Sequence, residues 1–188
     1  MAKRKSKKQN TTRLVVSIIV IALAVLTICT LFMPVFKAFT VATKADLWVA
    51  KGTDVFSAAF AGELSSDMTA GTTALYGLKT AEDTAFVATV GYWAYMLTVF
   101  VSAGVLVFAV LDLLGLRFKL VNMILGIALA VLALVTFIFA LIIASKLTSV
   151  TTVLGSEVGT RTIARVGMYL GCIGALLAGG ATVYQAKN

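Results

Sequence analysis

Apolar residues fall in four long blocks along the chain, and polar residues gather between them. Residues 14–36 carry no charge. As a helix rising about 1.5 Å per residue they extend about 34 Å, enough for a hydrocarbon core of about 30 Å. A backbone in lipid must satisfy its own N–H and C=O groups, so each block predicts a helix. The expected spans are 14–36, 92–114, 120–145 and 163–184. The fold class expected is an all-α membrane protein, a four-transmembrane-helix bundle with a small extracytoplasmic loop subdomain of short β-strands and one short helix. Residues 1–13 read as a basic cytoplasmic N-terminus. Residues 14–188 read as one four-span membrane domain, with outer loops at about 37–91 and 146–162.

The first loop is too long to be left without structure. Phe39, Val41 and Thr43 alternate with smaller or polar residues, as do Leu47 and Val49, predicting two strands around 43–46. Thr53 or Asp54 can cap a helix over 55–61 that Gly62 stops, with Val55, Phe56, Ala59 and Phe60 on one face. Residues 65–77, rich in Ser, Thr, Ala and Gly, read as the mobile part. Thr80-Ala81-Glu82-Asp83 looks like the start of the helix that continues to Leu114. That run exceeds what a bilayer needs. Tyr92, Trp93 and Tyr95 are therefore placed at the outer interface, with the turns before them projecting above it. In the second loop, 148–154 and 157–163 around Gly155-Ser156 predict a hairpin that can extend the first loop's sheet.

Composition agrees with lipid as the solvent. The chain has 188 residues, 60% of them hydrophobic, and a mean hydropathy of +1.01, against about 45–50% apolar in soluble domains. Lys3, Arg4, Lys5, Lys7, Lys8 and Arg13 precede the first span and set its direction by the positive-inside rule. On that topology acids and bases balance in the outer loops, and the whole formal charge of +8 lies on the cytoplasmic side. Both termini are then cytoplasmic. The first block is longer than the apolar region of a cleaved signal peptide, so it is read as retained. The outer loops hold no cysteine, which favours a bacterial cytoplasmic membrane.

Candidate chemistry is sparse. The chain has no His, which removes Ser-His catalysis and His-containing metal sites. Neither a phosphate loop nor a dinucleotide fingerprint occurs. No catalytic, cofactor-binding or metal residues are assigned, no cofactor is expected, and no nucleic-acid face is visible. Asp112 is read as an interfacial acid paired with a neighbouring base near Arg117 and Lys119. Asn122 is expected to bond water, headgroups or a helix end. Pro34 should bend or end the first helix, since it offers no N–H to the Thr30 carbonyl. Cys29 and Cys172 lie at similar depth and read as buried thiols. In the fourth span Gly167, Gly171, Ala175 and Gly179 recur every four residues, a helix-packing face of small residues.

The four spans, the loop lengths and the short inner turn resemble the claudin-type four-span proteins, as does Asp46-Leu47-Trp48, which is similar to their first-loop Gly-Leu-Trp. The paired cysteines that follow in that family are absent here. The resemblance implies adhesion or barrier formation. The residues themselves predict a non-enzymatic structural, assembly or interaction component, acting through its outer loops and small-residue helix faces. Its partners would be the lipid bilayer and a protein, or copies of itself. A channel or transporter component is the alternative, suggested by Thr98 and Ser102 in the second span.

Overall fold

The structure is a computed structural model that describes residues 2–116, 118–153 and 156–187, with residues 2–10, 153 and 156 described by their backbone alone. Helix α1 (Ala2–Cys29) runs through a 3-10 turn (Thr30–Phe32) into strands β1 (Pro34–Thr40) and β2 (Asp46–Lys51). Helices α2 (Gly52–Phe60), α3 (Ala70–Thr80), α4 (Ala85–Leu113) and α5 (Lys119–Lys146) follow. Strands β3 (Ser149–Val153) and β4 (Ser156–Ala164) lead into α6 (Val166–Lys187). The chain is mostly helical with a small sheet, and four helices are long and apolar enough to cross a membrane.

The long helices form a ring in which α1 touches α4 and α6, and α5 touches the same two. Only α4 and α5 are joined by a short connection, and a helix that turns back at once packs antiparallel beside its predecessor. The turn after α4 uses Gly115 at φ +91°, a conformation that glycine adopts without a Cβ clash. The N–H of Leu116 closes it onto the carbonyl of Leu111 at 3.0 Å. The core has two parts. Val20, Ala24, Val105, Leu129, Ala133 and Ala175 fill the lower ring. Phe36, Val55, Leu75, Tyr92 and Met96 join the ring to the sheet and short helices above it.

The sheet has the order β2-β1-β4-β3, all antiparallel. Its two hairpins come from the two loops and meet where Phe36 to Thr40 pair with Ala164 to Thr160. The expected joining of the loops is therefore present. The hairpin tip at Leu154 and Gly155 lies outside the described residues.

Several expected boundaries move. The first helix ends by Phe32, and 34–36 belong to β1; Pro34 opens the strand, where its missing N–H is tolerated. The Thr30 carbonyl is not orphaned, since the N–H of Met33 reaches it at 3.1 Å. Of residues 65–77, expected to be mobile, 70–77 belong to α3. The Thr69 hydroxyl caps it from 3.1 Å at the Thr72 N–H, and Leu75, Tyr76 and Leu78 are buried. Thr80 ends α3 instead of starting the next helix, which begins at Ala85. In the last span, 163 and 164 are strand.

Candidate interaction surface

The sheet has one covered face and one uncovered face, as strand alternation requires. Phe36, Ala38, Ala50 and Thr162 are buried beneath it. On the other face Lys37 stands across from Val49 and Ile163, and Phe39 across from Asp46 and Arg161. Leu47 and Val49 are 47% and 42% exposed there. Lys37 and Arg161 rise from the two central strands, Lys37 paired with Asp46 at 2.6 Å and Arg161 with Glu157 at 3.7 Å, while Leu47 and Val49 stand exposed on the edge strand β2. Exposed apolar side chains beside charged groups are surface that a protein partner can cover.

The platform beneath is held by buried polar contacts that no periodicity announces. The Asp54 carboxylate accepts from the Lys51 N–H at 2.6 Å, from the Thr69 hydroxyl at 2.8 Å and from the Thr72 hydroxyl at 3.0 Å. One acid thereby caps α2 from its third residue and ties it to the start of α3. Lys79 donates to the carbonyls of Ala59 at 2.7 Å and Ala61 at 3.0 Å, closing the other end of α2. The Tyr92 hydroxyl donates to the Leu75 carbonyl at 2.7 Å and links α3 to α4. At the junction with α1, a Cβ on Gly52 would stand 2.6 Å from the Leu31 Cα, so the chain passes there only as glycine.

Tyr92 and Tyr95, expected at an interface, are turned into the core. Their hydroxyls find protein partners, Leu75 for Tyr92 and Thr30 at 3.4 Å for Tyr95. Trp93 alone of the three faces outward, with Phe60 edge-on at 5.7 Å. Phe56, on the same side of α2, packs against Tyr95 and Phe100, so α2 lies along α4.

The small-residue face of α6 meets two neighbours. A Cβ on Gly167 would approach the Pro34 carbonyl oxygen at 2.7 Å, and one on Gly171 the Thr30 hydroxyl at 3.1 Å. Ala175 is fully buried in the lower core. A Cβ on Gly179 would come within 2.5 Å of the Gly126 carbonyl oxygen on α5. The change of partner follows from helix geometry. Four residues overshoot one turn by about 40°, so the face winds about 120° between 167 and 179.

At the opposite end of the ring, Asp112 is indeed paired with a base, but the base is Arg13 at 3.2 Å. The Asp112 side chain is 7% exposed. Gln185 donates to its second oxygen at 2.5 Å and to Ser17 at 2.6 Å, so one cluster joins α1, α4 and α6. Sequence reasoning passed over Ser17 and Gln185; their only signal was a polar group within or beside an apolar block. Asn122 is buried and its side-chain oxygen has no hydrogen-bond partner among the described residues. The side chains of Lys3, Arg4, Lys5, Lys7 and Lys8, and all of Arg117, lie outside the described residues.

Thr98 and Ser102 are buried within the bundle. Thr98 donates to the Ala94 carbonyl at 2.8 Å and meets Thr136 of α5 at 2.9 Å, while Ser102 donates to the Thr98 carbonyl at 2.7 Å. Cys172 is buried and Cys29 exposed, both as free thiols; the two were expected to be buried alike. Among the described residues no group of His, Cys, Asp or Glu is arranged to hold a metal ion. No family model, no curated protein and no solved structure matches this chain.

Proposed function

We propose that the chain is an integral membrane protein of a bacterial cytoplasmic membrane, with both termini in the cytoplasm and the sheet outside. The four long helices support this reading because they turn hydroxyls inward and large apolar side chains outward. Ile18, Phe100 and Ile173 are each more than half exposed, a pattern that costs free energy in water and none in lipid. The basic N-terminus supports the orientation.

Within that frame the protein is a non-enzymatic interaction or assembly component, and the sheet is where a protein partner binds. The observation that carries this is the uncovered sheet face, with Leu47 and Val49 exposed on its edge strand beside the Lys37–Asp46 pair, mounted on a braced platform. The Gly and Ala face of α6 is occupied within the chain, so the sheet is the surface left for a partner. Cross-linking in native membranes followed by affinity purification tests the reading. The wild type should recover a defined partner, and Val49→Glu should lose it while remaining folded. Equal recovery by both would remove the sheet from the interaction. Ion flux through vesicles containing the pure protein would favour the channel reading instead. A cysteine at Lys51 should react with an impermeant thiol reagent from outside intact cells; labelling only after lysis would reverse the orientation.

A further inference from the structure

Between α5 and α6 an outward-opening groove of about 250 Å³ runs along the bundle. Leu134 and Phe137 line one side, and Tyr169, Cys172, Ile173 and Leu176 the other. Tyr169 tilts against Phe137 at 6.1 Å and frames the upper end. Directly above, Arg165 precedes α6 and is half-buried. Its N–H is held by the Val35 carbonyl at 2.8 Å, which fixes it at the base of the sheet. Its guanidinium has no hydrogen-bond or ion-pair partner among the described residues, unlike Lys37, Lys79 and Arg161. The Tyr169 hydroxyl likewise meets no partner there.

Positions 169, 172, 173 and 176 fall on one helical face, and Arg165 caps the helix one turn above Tyr169, whose N–H reaches the Arg165 carbonyl at 3.4 Å. From Arg165 to Leu176 the helix descends about 16 Å at about 1.5 Å per residue. Half of a hydrocarbon core of about 30 Å is about 15 Å. The groove thus begins under a cation and ends near the depth that one leaflet's acyl chain reaches. A guanidinium is a strong, planar donor to phosphate oxygens.

We propose that this groove holds an anionic phospholipid of the outer leaflet, its phosphate on Arg165, its glycerol region beside Tyr169, and one acyl chain between α5 and α6. The proposal rests on the membrane reading given above. An apolar chain fills a dry groove that open bilayer would pack less closely, and the charge opposite the phosphate gives the headgroup preference.

The test uses the full chain in nanodiscs of mixed phosphatidylglycerol and phosphatidylcholine, with lipids retained on the released protein read by native mass spectrometry. Both lipids carry the phosphate, but the choline cation offsets its charge beside Arg165, so wild type should retain phosphatidylglycerol over phosphatidylcholine by about tenfold. Arg165→Gln should abolish the preference. Leu134→Trp, which fills the groove from an exposed position, should reduce retention of both lipids. Lys146→Gln is the control: it removes an exposed cation at the same end, a half-turn away from Phe137. It should leave the preference unchanged. Equal retention of the two lipids by wild type, or an unaltered preference in Arg165→Gln, would overturn the site. Displacement by glycerol phosphate as readily as by lipid would overturn the acyl groove. A chain that fails to enter nanodiscs contradicts the membrane reading itself, whereas one that enters and shows no preference contradicts the lipid site alone.

Discussion

Gly179 and Gly180 are adjacent on α6, yet an added methyl meets opposite conditions at the two. At 179 it would stand 2.5 Å from the Gly126 carbonyl oxygen and 3.0 Å from the Ala130 nitrogen; at 180 it meets nothing within 4 Å. Substituting alanine at either site adds the same atoms and the same gain in helix preference. The difference between the two variants therefore isolates the close approach of α5 and α6. A carbon and a carbonyl oxygen rest at about 3.3–3.6 Å, so the helices must part by about 1 Å at 179. A gap of that size forfeits up to about half of each atom-pair attraction, each worth about 0.1–0.2 kcal/mol. Roughly thirty pairs along the seam then lose up to about 1.5–3 kcal/mol. Strain from overpacking adds about 1–3 kcal/mol. Gly179→Ala should be less stable than Gly180→Ala by about 2.5–6 kcal/mol. Unfolding the purified protein in mixed micelles with increasing dodecyl sulfate, followed by helical circular dichroism, measures this directly. Equal midpoints for the two variants would refute the contact and the winding of the small-residue face that explains it.

Asp54→Ala removes a cap and three hydrogen bonds, at a cost of about 2–4 kcal/mol. Amide exchange should accelerate in α2 and the first turn of α3 while α5 stays protected, and unchanged exchange in α2 would contradict the bracing role. Asp112→Ala leaves Arg13 without its counter-charge and should cost about 3–5 kcal/mol. The double replacement Arg13→Met with Asp112→Leu should cost clearly less in the same micelle titration, and strict additivity would argue against the pair. Lys79→Met frees the carbonyls of Ala59 and Ala61, so α2 should exchange faster by about tenfold, corresponding to about 1.4 kcal/mol. No change there would mean that water satisfies those carbonyls as well.

Much of the architecture was legible because lipid-length helices are decided by local sums. Each long block of Leu, Ile, Val and Ala is apolar over more than a span, so α4 and α5 were expected within a few residues of their lower ends. Alternation foretold the first loop's hairpin, since Phe39, Leu47 and Val49 can occupy one face only in extended chain, and runs of Thr and Val around Gly155-Ser156 foretold the second. Local sums fail where two structures share one composition. Val35 and Phe36 are equally apolar in a helix and in a buried strand, and they became strand because Arg165 and Ala164 lie alongside. Residues 65–77 looked loose because they are rich in Ser, Thr, Ala and Gly, but a small residue is what lets α3 sit on β2, where a Cβ on Gly71 would approach the Ala50 Cα at 2.9 Å.

By itself the sequence determined the number of long apolar helices, the asymmetry of charge and the presence of strands in both loops, because hydropathy and alternation are properties of neighbouring residues. Tertiary structure alone decided which groups meet. Asp112 pairs with Arg13, 99 positions away, because antiparallel packing brings the start of α1 beside the end of α4. Tyr92 and Tyr95 face inward because carbonyl and hydroxyl partners wait there, although the same residues suit an interface equally well. The Gly and Ala face divides between α5 and the segment from the 3-10 turn to the start of β1, because a four-residue repeat winds around a 3.6-residue helix. A partner's identity depends on such contacts, and contacts between distant segments are set by packing, which no local pattern encodes.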